Sequence, residues 1–554
     1  MKKHTTRFLG CIAASVACLP GVAPAQSGNA PALEEVTVTA RKRSENLQDV
    51  PISITALDAA ALRERGTNSL GDLYASVPNF EYSDTGFSTF SQVVIRGVIS
   101  ADFMAGFETA TGTVVDDVYV GRSAAYNAAL LDVERLEILR GPQGTLQGKN
   151  ITGGVINITT RRPTNEFTGG AELSVGSLAL RQFRGYVSGP LSEGKVAGKL
   201  SGMIRKRDGS VKDTATGNTL GNSDNQSFAG QLLFTPSDSL EILVGGDYAK
   251  DDIYDNSTMY TAPGEVTALL TPTVRSRKLS MDFDGKTDRK IYGGFARVAY
   301  TLQSGATFTS VSSYRGYDLD GFFEQDGTPS RLVNTGKVQE QRQYSQEFRL
   351  ASPTDGPVDW IGGLYYFNEK IDEQTRGAFF AFGVDNIALA SVKGESVAGF
   401  GSVNFDVGER SNATVGLRYT SDKRDFKGSA GYLGLAPAGI APCLPPAGQP
   451  FCPYTGASQI KVPLPVAPSS SSDGTTTGDL TFNHRWTSAI STYVKYARGY
   501  KGGGFVTNLA STSLGDPVDP EYVDSFEVGY RSMLLDGRVR LNATAFYLDW
   551  KDRQ

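Results

Sequence analysis

The chain has 554 residues, of which 40% are hydrophobic and 20% charged, with a formal net charge of -5. A mean hydropathy of -0.24 and a pI near 5.4 resemble a large soluble protein and exclude a nucleic-acid partner held by basic charge. Past the N-terminus no run approaches the roughly 20 consecutive apolar residues that a membrane-crossing helix needs.

The basic start Lys2, Lys3, Arg7 leads into an apolar run from Phe8 to Leu19 and then to Ala23-Pro24-Ala25, the pattern of a secretory signal peptide over 1–25. A lipoprotein reading would use Cys18, but Ser15 stands three residues before it, where a large aliphatic residue is expected. Cys11 and Cys18 leave with the signal, and Cys443 and Cys452 remain in the stretch APCLPPAGQPFCPY. In an oxidising compartment that pair is most simply a disulfide, worth roughly 2–3 kcal/mol for so short a loop. Two thiols with no nearby His or further Cys do not complete a metal site, so no metal is expected.

A short tail over 26–42 precedes a mixed segment over 43–163. There Asp58 is placed to cap a helix from Ala59 to Arg65, and Ser69 to begin another through Leu73. Short apolar strands follow at Val93 to Arg96, Thr113 to Val120, Leu136 to Leu139 and Val155 to Thr159. The expectation is a small α/β domain with its own core.

From 164 to the end the chain alternates. Val196, Gly198, Leu200, Gly202 and Ile204 are apolar or small, against Lys195, Lys199, Ser201 and Arg205. The pattern returns from Tyr292 to Leu302 and from Val539 to Tyr547. A period of two over ten or so residues fits a tilted membrane-crossing strand, and lipid tolerates strands only in a closed sheet. Turns such as Gln303-Ser304-Gly305, Gly408-Glu409-Arg410 and Leu535-Asp536-Gly537 are short, while connections near 251–289, 317–340, 371–393, 421–476 and 500–520 are long. That alternation predicts an antiparallel outer-membrane β-barrel, a multi-pass all-β membrane protein, and argues against a soluble sandwich or propeller. About fifteen strands are legible where bacterial barrels have even numbers, and Lys551-Asp552-Arg553-Gln554 lacks the terminal aromatic residue that such barrels usually show. The expectation is a C-terminally truncated, partial barrel.

Several motifs carry no chemistry. GPQGTLQGKN has Gln143 at the first glycine of a phosphate loop and Asn150 in place of its Ser or Thr. GYKGGGF at Gly499 to Phe505 follows a strand and opens a long loop. With no nucleophile elbow, zincin or paired-carboxylate arrangement, no enzyme and no cofactor are expected.

The stretches EEVTVTARKRSENLQDVPISI, VVIRGV (93–98), VERLEILRGPQGTLQGKNITGGVINITTRRP (133–163), QYSQEFRL (343–350) and DSFEVGY (524–530) closely resemble the TonB-dependent receptor family, from Glu34 to the last residue. The resemblance implies a barrel of roughly 22 strands with the 43–163 domain as its plug. It makes Glu34, Glu35, Val36, Thr37, Val38, Thr39 and Ala40 a TonB box, an extended β-branched segment able to add as a strand to a periplasmic partner. It sets Arg96 and Arg140 of the plug against Glu347 and Glu527 of the wall, in charge-assisted bonds that hold yet can be rearranged. Gln147 and Lys149 depart from the Phe and Arg of many members, and neither side chain has an obvious task.

The implied function is active uptake of a scarce solute into the periplasm, driven by TonB with the inner-membrane proteins ExbB and ExbD, from a barrel seated in outer-membrane lipid. Plug loops at 81–90 and 100–109 should form the outward apex, with Tyr82, Phe87, Phe90, Phe103 and Phe107 able to stack on a ligand. Haem is disfavoured because loss of His4 leaves only His484, in the wall. Family prevalence favours a ferric siderophore, ahead of glycans, vitamin-like cobalt complexes or hydrophobic steroid or aromatic compounds. A passive porin or adhesin, or a non-functional receptor remnant, are the other readings.

Overall fold

The computed structural model describes residues 6–9, 36–84, 91–99, 103–126, 130–254, 278–324, 333–379, 384–433, 466–507 and 513–554. Most of the predicted signal peptide, Glu34, Glu35, Phe87, Phe90, Cys443 and Cys452 lie outside them.

Fifteen long strands from Thr168–Gly176 to Val539–Lys551 form one antiparallel sheet, each paired with its neighbour along the chain. Thr6–Leu9 adds to the outer edge of Val539–Lys551. The alternation resolves as expected: Leu200 and Ile204 are 66% and 41% exposed on the outside, while Lys199 and Ser201 are buried inside. Exposed Phe228, Leu232, Tyr344, Phe348, Leu417 and Tyr419 continue the same outer face. These residues face lipid, and the wall curves around a polar interior, with no pairing among the described residues between its first strand, Thr168–Gly176, and the opposite edge. Among the described residues no helix is long and apolar enough to cross a membrane.

The long connections are shorter than the alternation suggests. Val358–Phe379, Val384–Asp406 and Ser411–Leu433 run 22, 23 and 23 residues, so the connection predicted at 371–393 is mostly ladder. Some ten residues cross the bilayer, and the rest of each strand stands in water. Backbone pairing continues there without an apolar face, so the sequence pattern stops before the strand does.

Inside sits the second unit. Five strands, β1 (Ile54–Asp58), β2 (Thr111–Val115), β3 (Val118–Val120), β4 (Val133–Arg140) and β5 (Gly154–Thr160), form a mixed sheet in the order β1-β4-β5-β2-β3. Only β5 and β2 pair in parallel. The helix α1 (Ala59–Glu64) begins where Asp58 accepts from the Ala61 N–H at 2.7 Å. Leu70–Leu73 is a single 3-10 turn, with Asp72 reaching back to the Ser69 N–H. The strand predicted over Thr113 to Val120 is a hairpin, because Asp116 and Asp117 both take positive φ (48° and 69°) and turn the chain in two residues. Aspartate tolerates that left-handed conformation, so a turn forms with no glycine to announce it. Leu62, Leu70, Leu73, Leu136, Ile138, Ile156 and Ile158 share one core that extends to Ile291, Tyr317 and Leu319 of the wall.

Candidate functional site

The interface between inner unit and wall is the functional surface of such an architecture, because anything crossing must displace one from the other. It has three levels.

At the end bearing the short turns lies the N-terminal segment. Thr37–Val38 pairs with Glu45–Asn46, and Val38 and Ala40 are buried with Val50, Ile52, Leu139 and Ile151. The Thr39 N–H donates to the Glu137 carboxylate at 2.7 Å. That buried carboxylate also accepts from Arg135 at 2.7 Å and Asn157 at 3.1 Å. Lys42, at φ 59°, turns the chain and extends its ammonium to both oxygens of Glu347, at 2.9 and 2.8 Å. Arg349 ties Glu347 to Asp117 of the hairpin, at 3.0 and 2.7 Å. Burial opposes the Asp117 charge, but Arg349, Lys42 and Arg297 outweigh it and hold its carboxyl far below the usual range. Arg43 pairs with Asp359 at 2.5 Å, and Asp49 with Arg485 at 3.0 Å. Beside Val36 and Asn46 to Asp49 opens a cavity of 860 Å³, walled by Arg410, Trp486, Met533 and Arg540.

At mid-height, Arg96 meets Glu527 at 2.5 Å, both side chains almost fully buried. Glu527 also accepts from the Tyr493 hydroxyl at 2.6 Å and the Ser53 N–H at 3.2 Å. Gly141, at φ 84°, is required here, because a Cβ on it would stand 2.5 Å from the Arg96 guanidinium. Of the four residues expected to pair across the interface, the structure brings together Arg96 and Glu527. Glu347 meets Lys42 and Arg349 instead of either plug arginine, the Lys42 ammonium occupying both of its oxygens. Arg140 turns to the hydroxyls of Ser53 and Thr55, at 3.0 and 2.9 Å, and bonds neither glutamate. Burial, and then the charge of Arg96 beside it, push its guanidinium down to about 10.

At the outward end, Glu108 is the hub. It binds Arg424 and Asn150 and lies 3.3 Å from Lys149, which in turn holds Asp422 at 2.6 Å. Burial works against the Glu108 charge, but Arg424, Lys149 and Arg122 overcome it and hold the carboxyl well below the ordinary range. Arg122 makes a bidentate bond to Glu369, at 3.0 and 2.7 Å, and donates to the Phe107 carbonyl at 2.5 Å. Lys337 donates to the Phe103 carbonyl at 2.6 Å and to Glu373 at 3.0 Å. The ring of Phe103 packs on the inner core, and that of Phe107 lies 6.0 Å beneath Lys501. Tyr82 packs on the inner core and lies 3.0 Å from where a Cβ on Gly71 would stand.

GYKGGGF does more than open a loop. The Phe505 N–H donates to the Gly106 carbonyl at 3.1 Å, and a Cβ on Gly504 would stand 2.5 Å from that same oxygen. Its glycines allow backbone to lie on backbone, clamping the outward plug loop. His484 is in the wall, its Nδ1 2.8 Å from the Ser411 hydroxyl. Among the described residues no cluster of His, Cys, Asp and Glu could hold a metal ion.

Two family models match. The TonB-dependent receptor plug domain covers 46–155, and the TonB-dependent receptor-like β-barrel covers 254–554. The pesticin receptor of Yersinia pestis is 26% identical over 551 residues, spanning 97% of this chain and 73% of the relative. The vitamin B12 transporter BtuB of Vibrio vulnificus is 24% identical over 334 residues, 55% of this chain and 53% of the relative. Among solved structures, the ferric yersiniabactin uptake receptor FyuA of Yersinia pestis superposes with a TM-score of 0.76 at 24% identity, covering 91% of this chain and 73% of that one. The ferric-catecholate import receptor Fiu of E. coli gives 0.72 at 17% identity, covering 94% and 76%.

Proposed function

The chain belongs to the TonB-dependent receptor family of the outer membrane, and from that premise we propose that it imports a ferric siderophore through traction on Glu34 to Ala40. The carrying observation is the extent of likeness: the pesticin receptor aligns across 97% of the chain, and the ferric yersiniabactin and ferric-catecholate receptor structures superpose over more than nine-tenths of it. The match to the vitamin B12 transporter covers 55%.

The contacts support a mechanical reading. The outer membrane has no nucleotide supply, so work must come from the inner membrane, through TonB with ExbB and ExbD. TonB adds a strand to the box from the 860 Å³ cavity at the periplasmic mouth. Pulling draws Val38 and Ala40 from their apolar seat, and the strain reaches Lys42 and Glu347 next. The Arg96–Glu527 pair opens once the plug shifts, and solute passes between plug and wall into the periplasm. The protein itself transforms no substrate; lipid surrounds the wall and holds it upright.

Uptake of radiolabelled iron from a panel of ferric siderophores, in cells lacking their own siderophore receptors, tests this. We expect uptake of at least one, abolished by deleting 34–40 or by Thr37→Pro, since proline removes a backbone donor from the added strand. Uptake untouched by the deletion would point to a passive pore. Uptake of a cobalt complex but of no iron chelate would move the substrate class.

A further inference from the structure

Gln147 and Lys149 stand two residues apart and take different partners, one at the box and one in the hub around Glu108. The Lys149 ammonium also lies 5.6 Å from the ring of Phe367, in the apolar cluster of the box. The Gln147 amide donates to the Ala40 carbonyl at 3.0 Å, at the last residue of the box. The Lys149 ammonium joins the outward hub, 2.6 Å from Asp422 and 3.3 Å from Glu108. Between them Gly148 takes φ 109°, and beyond them Asn150 takes φ 63°.

The chain that links the two contacts is tied down along its length. Thr145 bonds Asp479 of the wall. The Asn150 N–H donates to the Tyr500 carbonyl at 2.9 Å, and its side-chain oxygen accepts from the Gly502 N–H at 3.1 Å. Ile151 then enters the same apolar cluster as Val38 and Ala40. A movement of Lys149 or Asn150 therefore has no slack to dissipate in before it reaches Ala40.

The groups held at the box are the ones a partner needs. Strand addition uses backbone donors and acceptors, and here the Thr39 N–H is given to Glu137 and the Ala40 carbonyl to Gln147. Side chains of the plug thus compete with an incoming strand for the same backbone positions.

We infer that Thr145 to Asn150 is a strut that couples the outward charge hub to the box, with Gln147 the positioning residue that keeps the box closed and Lys149 the point where outward rearrangement enters. The inference rests on reading Glu34 to Ala40 as the segment TonB takes. It makes substrate-side disturbance of the hub sufficient to withdraw Gln147 and free the Ala40 carbonyl.

Hydrogen exchange of the full chain in detergent, without substrate or partner, reads the strut directly. Gln147→Met keeps the length and loses the donor, and should speed exchange of the Thr37 to Ala40 amides about fivefold, the worth of one net hydrogen bond. Gln147→Lys, which restores a donor, should return it toward the parent rate. Lys149→Met should speed the same amides, although Lys149 touches no box residue, and the double variant should be no faster than the faster single one. Amides of Gly154–Thr160 must stay unchanged in each case. If Lys149→Met loosens the whole plug, Asp422→Asn cuts the same link from the wall side and should act on the box alike. The inference is overturned if Gln147→Met leaves the box amides at the parent rate, or if both hub variants alter only 103–110. Adding the periplasmic domain of TonB tests the underlying reading separately: it should slow the box amides in parent and variants. Absence of slowing in all of them sinks the box reading, whatever the strut does.

Discussion

At the outward end Glu108, Lys149, Asp422 and Arg424 have side chains 2–6% exposed, whereas at the periplasmic mouth Arg485 and Asp49 are 52% and 58% exposed. Between them Lys42 and Glu347 are 6% and 7% exposed, and Arg43 and Asp359 are 13% and 20%. Each set pairs plug with wall by the same chemistry, yet water competes increasingly toward the mouth. A buried charge that loses its partner has nowhere to turn, while an exposed one rehydrates. The plug is thus held by buried pairs at its outward end and, at the rim of the mouth, by a pair open to water. On the proposed pull from the periplasm, the exposed pairs at the rim give way before the buried pairs at Lys42 and at the hub.

Removing the hub carboxylate should have the largest effect. Glu108→Ala leaves Arg424 and Lys149 buried together with Asp422 as their nearest anion, and should cost about 3–5 kcal/mol of local stability. Protection of the 103–110 amides reports it; a loss under 1 kcal/mol would make the two ends equivalent and break the comparison. Lys42→Met is next. Glu347 keeps Arg349 at 3.0 Å, so about 2 kcal/mol is expected, confined to the segment from Val36 to Asp49 and read by its sensitivity to a protease. Spread of the opening into β4 and β5 would show that the mouth is not an independent unit.

Acid sharpens the contrast. Because Glu108 is held below its ordinary value, its contribution is complete above the unfolded carboxylate pKa of about 4.3, and it is lost only as pH falls through the lower folded value. Lowering the pH from 7 to 5 should therefore leave the 103–110 amides as protected as before, after correction for the intrinsic exchange rate. Loss of protection in that window would mean that the hub is not carried by the Glu108 charge.

How much of this the sequence discloses depends on whether a residue's task is local. Leu200 against Lys199 reads correctly because lipid and lumen impose opposite demands on adjacent positions. Asp58 reads as a cap because the N–H it accepts from lies three residues away. The hairpin at Asp116–Asp117 hides because aspartate tolerates a turn without advertising one. Choice of partner hides more thoroughly. Nothing near Glu347 signals Lys42, 305 positions away, and Gln147 and Lys149 acquire tasks only once Ala40 and Asp422 are set beside them. The Gly502 to Phe505 run carried a usable signal, since three successive glycines mark backbone that must approach backbone.

The smallest effect is expected at the rim. Arg485 and Asp49 meet at 3.0 Å with both side chains more than half exposed, so their attraction is screened by water and salt and offset by the order it imposes on two long side chains. Arg485→Ala should alter protection of Asn46 to Val50 by about 0–1 kcal/mol, and the difference should vanish in high salt. A loss comparable with that of Lys42→Met would mean that the mouth is a closed gate instead of a frayed edge. In that case traction would have to break strong bonds at once, and the graded release inferred from burial would be wrong.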